Sequence, residues 1–225
     1  MALTAPSTSI SKENYLKAVY ALTRDAERVS TKSLAARLGH SQPSITHMMQ
    51  TLSERGLVDY QAYQGVKLTA AGERTAIGII RRHRLIELFL VKTLNMAWDE
   101  VDQEAELLEH AISEHLADRI DKFLEYPQID PHGSPIPDAQ GNMVLRETRK
   151  LSELRVGEQA RVASVSDSNP EVLRYLTSIG VMLDTEVTVV AREPFEGPIT
   201  IEAAGATRAI SPSMAARVLV LDTQR

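Results

Sequence analysis

Apolar residues recur at helical spacing through most of the first 126 positions, then switch to short alternating runs after about residue 150. In SKENYLKAVYALTRD, residues Tyr15, Leu16, Val19, Tyr20 and Leu22 line one helical face. Ser11 is placed to cap that helix, and Glu13 suits its first turn. A second helix starts at Ser30 or Thr31 and ends at Leu38-Gly39. His40-Ser41-Gln42 makes a turn. Pro43, tolerated in a first helical turn, opens a third helix to about Arg55, which stops at Gly56. LVDYQAYQGVKLTAAG then alternates as a short hairpin. Leu57, Val58 and Tyr60 form one strand, Val66 to Leu68 the other, and Gly65 sits at the turn. Helical pattern returns from Ala70 to about Leu94 and again from Trp98 to Tyr126. Residues 127–142, PQIDPHGSPIPDAQGN, read as loop and linker. Beyond Leu151, the runs ARVASV, EVTVVARE, ITIEAA, TRAISP and ARVLVLD predict a small five-stranded barrel interrupted by one helix, PEVLRYLTSIG.

Helix, tight turn, helix and hairpin make the pattern of a winged helix-turn-helix, whose second helix enters the major groove of DNA. On that helix Ser41, Gln42, Ser44, Thr46, His47 and Gln50 form the polar face. Ile45, Met48, Met49 and Leu52 face inward. A generic helical hairpin with a polar face is the other reading. Charge separates the two. The chain is −5 overall, but residues 1–75 carry +3, residues 76–150 carry −5, and residues 151–225 carry −3. A basic N-terminal third ahead of an acidic remainder favours DNA there.

At 225 residues and 43% apolar content, two or three small domains each have enough material for a core. We divide the chain into a winged helix-turn-helix segment at 1–75, a helical segment at 76–145 and a β domain at 151–225. No apolar run approaches the roughly 18 residues of a transmembrane helix. The N-terminus also lacks the basic-then-apolar order of a secretory signal. There is no cysteine, which removes disulfides and thiolate chemistry and fits the cytoplasm.

The stretch EAELLEHAISEH raises a different question. Glu106, Glu109 and His110 stand at i, i+3 and i+4, so a helix would put all three on one face beside Leu107, Leu108, Ala111 and Ile112. The preceding helical segment offers His83 and Glu87 at i and i+4, and Asp102 lies one turn before Glu106. Two antiparallel helices would bring these ligands together. Carboxylates with one or two imidazoles suit Mn²⁺ or Fe²⁺. A solvated acidic face remains the alternative on spacing alone. A metal-binding enzyme is the other class, but the Glu-x-x-His pair of di-iron bundles is missing: the residues three before His83, His110 and His115 are Ile80, Leu107 and Ile112. HExxH, phosphate-loop and nucleophile-elbow motifs are missing as well.

These residues jointly resemble the diphtheria toxin repressor family of metal-dependent transcriptional repressors, including its manganese-responsive members. The carriers are ENYLKAVY, SQPSIT, GLV followed by LTAAG, RRHRLIE, EAELLEH and PHGSPIP. LRYLTSIGV and EVTVV carry a looser likeness to the SH3-like, FeoA-like domain of longer members. The resemblance implies a mainly α protein with a small β part: an N-terminal winged helix-turn-helix, a helical metal-binding and dimerisation domain, and a C-terminal SH3-like barrel. It implies a homodimer that binds palindromic double-stranded operator DNA when metal-loaded, with no membrane or small-molecule partner. By position, Glu106, Glu109 and His110 match primary-site ligands. Asn14 falls where members place a ligand from the first helix, and Lys17 falls where some manganese-responsive members have Glu. His83, Glu87 and Asp102 match the ancillary site, to which Glu171 of the β domain would contribute. Asp102 stands for a His and Glu106 for a Cys of iron-responsive members, and swaps toward carboxylate favour Mn²⁺ over the later transition metals, with Fe²⁺ the alternative cofactor. The resemblance places Leu85, Leu88, Phe89 and Leu116 at the dimer interface. Ser41, Gln42, Pro43, Ser44, Thr46 and His47 would read bases, while Lys32 and Arg55 would contact phosphates. Arg84 is a candidate anion binder.

Overall fold

The computed structural model describes residues 12–23, 27–166 and 169–222, so the capping role expected of Ser11 lies outside the described residues. The chain divides into two units. The first runs to Arg82 and adds Ala139–Gly141; the second holds His83–Asp138 and Asn142–Arg225.

In the first unit, α1 spans Lys12–Leu22, α2 Thr31–Leu38 and α3 Gln42–Glu54. Capping explains the boundaries. Ser30 accepts a hydrogen bond from the Ser33 amide at the start of α2. Gly39, at φ 67, closes α2 in the left-handed region that glycine adopts without strain. Ser41 caps α3 by accepting from the Ser44 amide, with a proline in the first turn. The hairpin follows as β1, Val58–Gln61, and β2, Gly65–Leu68, with Val58 opposite Leu68 and Tyr60 opposite Val66. Val29 exchanges both backbone hydrogen bonds with Val66, so the segment before α2 is tied to the hairpin. Leu16, Val19, Leu34, Ile45, Met49, Leu52, Val58 and Val66 build one core. This is the winged helix-turn-helix that the pattern predicts. The turn residue Thr69 donates its N–H to the Leu57 carbonyl and begins α4, Ala70–Leu94. The division between the units falls inside α4, after Arg82.

In the second unit the helical region expected from Trp98 to Tyr126 holds two helices. They are α5, Val101–Leu108, and α6, Glu114–Phe123. The break has a local cause: Ser113 takes an extended backbone and accepts from the Leu116 amide, the geometry of an N-cap that starts a new helix. After the loop, β3 is Arg149–Lys150 and a short 3₁₀ turn covers Leu151–Glu153. Then come β4 Gln159–Val165, α7 Pro170–Ser178, β5 Glu186–Arg192, β6 Ile199–Ala203, β7 Ala206–Ile210, α8 Pro212–Ala215 and β8 Val218–Asp222. The strands form one antiparallel sheet in the order β3-β8-β4-β5-β6-β7. Six strands stand where five were expected, because two-residue β3 is too short to show a period. The ladder is not closed between β3 and β7. Register shifts between Val162 and Ser164, and between Val189 and Ala191, are the kind that bend a sheet around its core. Val162, Val187, Val189, Ile201 and Val220 fill that core with Leu173 and Leu176 of α7. Among the described residues no helix is long and apolar enough to cross a membrane.

Candidate metal centre

Helical spacing does the first part of the assembly. α4 places His83 and Glu87 one turn apart, and α5 does the same for Asp102 and Glu106. Glu109 is the C-cap of α5, with helical φ and ψ and its N–H still bonded to the Ala105 carbonyl at 2.9 Å. His110 follows in the turn. The face expected of one continuous helix is therefore a helix end plus its cap.

His83 is the hub. Its Nδ1 lies 2.6 Å from Glu109 Oε2 and 4.0 Å from Glu106 Oε2. Its Nε2 lies 3.4 Å from Glu87 Oε1 and 3.5 Å from Asp102 Oδ1. His110 Nε2 is 3.3 Å from Glu109 Oε1. Glu109 is 0% exposed and Glu87 2%. Burial alone would favour neutral His83. Hydrogen bonds donated by its ring to Asp102, Glu109 and Glu87 outweigh it and hold the imidazole well above its usual range. One imidazolium thus faces four carboxylates. The donors here are oxygen and imidazole nitrogen without sulfur. That set fits a hard or borderline divalent cation.

Two groupings with ligand atoms inside 4.8 Å follow from this: His83, Glu106 and Glu109; and His83, Glu87 and Asp102. A third, Glu87 with Asp130 and His132, is buried throughout. Nothing in the local apolar pattern marks it, because residues 127–142 read as loop and linker. The available signal was an acid and a histidine two apart in a Pro- and Gly-rich segment. Asp130 Oδ1 accepts from the amides of His132 at 2.8 Å and Ser134 at 2.9 Å, which bends the loop back on itself. His132 Nδ1 is 3.4 Å from Glu87 Oε1. For Glu87, burial pushes upward, but hydrogen bonds and charge from His132 and His83 draw its carboxyl down to about 2. For His132, burial pushes downward, yet the Glu87 hydrogen bond and the nearby carboxylates raise it to about 9. Burial and the Glu87 charge push Asp130 up to about 6. Arg84 is engaged in the same loop. Its Nε is 3.6 Å from Asp130 Oδ2, and its Nη1 donates to the Pro135 carbonyl.

The remaining expected residues are dispersed. Asn14 is half-buried on α1, within the first unit. Glu171 is exposed in the first turn of α7 and belongs to none of the three groupings found among the described residues. Lys32, Ser41, Gln42, Pro43, Ser44 and His47 are exposed and Thr46 is half-buried, while Ile45 and Met49 are 0% exposed. The Ser41 hydroxyl also serves as the α3 cap, so part of its hydrogen-bonding capacity is used within the chain.

Leu85 and Leu88, expected at a dimer interface, pack within the protomer with Ala117 and Ile136 and are buried. Phe89 is half-buried and meets Phe123 edge to face, with centroids 6.0 Å apart. Leu116 is exposed, as are Leu107, Leu108, Phe123 and Tyr126, an apolar set on and beside α5 and α6.

Comparison with known proteins gives three domain matches. Residues 7–66 match the iron dependent repressor N-terminal DNA binding domain. Residues 69–138 match the iron dependent repressor metal binding and dimerisation domain, and residues 149–221 match the FeoA domain. A solved manganese-dependent transcriptional repressor in complex with manganese is 41% identical, with a TM-score of 0.86 over 95% of this chain and 100% of that one. The manganese regulator SloR is 31% identical, with a TM-score of 0.77 over 96% of this chain and 100% of that one. The iron-dependent repressor IdeR of Mycobacterium leprae is 34% identical over 125 residues, 56% of this chain and 54% of the relative. The chain therefore spans about half the length of the curated relatives it matches first.

Proposed function

The chain belongs to the diphtheria toxin repressor family of metal-dependent transcriptional repressors, in the longer form with a FeoA domain, and we propose that it is a Mn²⁺-responsive repressor. The observation that carries this reading is the donor set. Carboxylates and imidazoles converge on His83 and on Glu87 with no thiolate in the chain, and Asp102 and Glu106 supply oxygen. The primary-site ligands are Glu106, Glu109 and His110, with Asn14 assigned by family position. The ancillary ligands are His83, Glu87 and Asp102, joined by Asp130 and His132.

A divalent ion held by these groups would add positive charge among the carboxylates. To ligate, His83 would have to release the proton it holds among these carboxylates, while Glu109 and Glu87 orient the imidazoles they contact. Ion binding then favours a DNA-competent population, and by reciprocity operator DNA tightens ion binding. The test is fluorescence anisotropy of a labelled metal-transporter promoter. It runs in chelator, then with Mn²⁺, Fe²⁺ kept reduced, and Zn²⁺. Binding with Mn²⁺ at the lowest concentration is expected. Binding at the lowest concentration of Fe²⁺ moves the chain to the iron-responsive class, and binding in chelator ends the sensor reading.

The recognition helix makes a second expectation. Gln42→Ala removes an exposed side chain with two donors and an acceptor, and it leaves the Ile45, Met49 and Leu52 core alone. Loss of a bidentate base contact costs about 1–3 kcal/mol, roughly 5- to 150-fold in operator affinity. The mutant should show that loss on specific DNA, an unchanged affinity for random DNA and an unchanged melting temperature. Equal losses on both DNAs would make Gln42 a phosphate contact.

The exposed α5–α6 patch is the proposed dimer face. Leu116→Glu puts a charge where an apolar contact is lost, so the dimer should weaken by at least about tenfold. Sedimentation equilibrium measures it. A dimer of wild-type strength would move the interface off α6.

A further inference from the structure

Trp98 lies between α4 and α5, yet its ring belongs to the core of the C-terminal sheet, beside Leu173 and Leu176. It is the single tryptophan of the chain. Its indole N–H donates to Thr177 Oγ1 on α7 at 2.9 Å, and Thr177 donates onward to the Leu173 carbonyl at 3.0 Å. Its own carbonyl oxygen is 2.8 Å from His132 Nε2. The Trp98 and His132 rings also stack, with centroids 5.8 Å apart and planes 25° apart. One residue therefore touches the buried Glu87–Asp130–His132 cluster with its backbone and ring, and the β domain with its indole.

We propose that Trp98 is a positioning residue for that cluster: it holds His132 with Nδ1 turned to an ion, and it links ion binding there to the seating of α7. A carbonyl only accepts, so Nε2 must carry a proton, and Nδ1, on the Glu87 side, is the nitrogen left to ligate. The ring stack restricts rotation about the same axis. The loop is held from the other side too. The His132 carbonyl accepts from the Val165 amide of β4 at 2.9 Å, and a Cβ on Gly133 would lie 2.0 Å from the Ala163 carbonyl. The Trp98 carbonyl fixes the His132 tautomer, and the indole bond to Thr177 fixes where that carbonyl sits. Coupling is reciprocal, so an ion at the cluster also steadies Trp98 and α7.

This inference rests on reading the clusters as ion sites, and its test keeps the two apart. The full chain is titrated with Mn²⁺ while Trp98 emission is followed and bound Mn²⁺ is counted by electron paramagnetic resonance. Emission is expected to change as the cluster loads. His132→Ala should abolish the change while Mn²⁺ still loads at the Glu106, Glu109 and His110 site. Glu106→Gln should leave the change in place. Thr177→Val, nearly isosteric, removes the indole's acceptor at one step beyond the ligand's own partner. Direct outer-shell partners are worth 10–100-fold, so this midpoint should rise about 3- to 10-fold. A Thr177→Val chain that melts lower but keeps the wild-type midpoint makes Trp98 merely structural and overturns the proposal. So does an emission change that survives His132→Ala, or Mn²⁺ loading without any change in wild type. Absence of Mn²⁺ loading overturns the sensor reading along with it.

Discussion

Glu109→Gln should raise the Mn²⁺ concentration for half-maximal operator binding by about 100-fold or more. Glu109 is fully buried, and its two oxygens lie 2.6 Å from His83 Nδ1 and 3.3 Å from His110 Nε2. Glutamine keeps the shape and one acceptor, so packing survives, but it removes a full negative charge facing the ion. Loss of an outer-shell partner alone costs 10–100-fold in metal affinity, and loss of a ligand should sit at or beyond the upper end. Anisotropy with a Mn²⁺ titration measures the midpoint, and binding to nonspecific DNA at low salt controls for an intact first unit. A midpoint within about threefold of wild type would place the controlling ion elsewhere.

The second large effect is on stability. Gly72→Ala should destabilise the winged unit by about 2–4 kcal/mol, in the range of core overpacking or somewhat above it. A Cβ at Gly72 would lie 1.8 Å from the Leu57 carbonyl oxygen and 2.9 Å from its carbon. That oxygen already accepts from the Thr69 amide at 3.1 Å. Thr69 in turn organises the first turn of α4 through the amides of Gly72 and Glu73. A methyl group therefore forces the start of α4 away from the hairpin, and the atom that must yield is backbone. Gly39→Ala is the control. It has nothing within 4 Å and a φ of 67, so only the left-handed backbone penalty of about 1–2 kcal/mol applies. Urea unfolding of both variants compares them. If Gly72→Ala proved no worse than Gly39→Ala, the close approach of α4 to Leu57 would be wrong.

The glycine of LTAAG shows how far sequence reading reached. Its place in a family motif was legible, but its reason was not, because the obstructing atom belongs to Leu57, fifteen positions earlier. The same holds for Leu85 and Leu88. Helical spacing marks them as apolar and inward, and only the packed loop residue Ile136 shows that they face the protomer's own core. His132 is the third case. In one dimension it is a histidine in a proline-rich loop. In three, Asp130 turns the loop until its imidazole reaches Glu87, forty-five positions away.

What the amino-acid sequence determined by itself is everything that local rules govern. Period and caps set α2, α3 and the hairpin. The i, i+3 and i+4 spacings put His83 with Glu87, and Asp102 with Glu106. The charge shift between thirds separated a DNA-binding segment from an acidic one. Tertiary structure decided the rest: that α5 ends beneath His83 so that one imidazole meets four carboxylates, that a loop completes a third cluster, and that Trp98 leaves the helices for the core of the sheet. The physical reason is one of range. Backbone hydrogen bonds, caps and turn preferences act over about four residues and leave a trace in the local pattern. Burial and ligand convergence join residues 20 to 80 apart. They depend on which apolar faces pack together, and no single stretch of sequence encodes that.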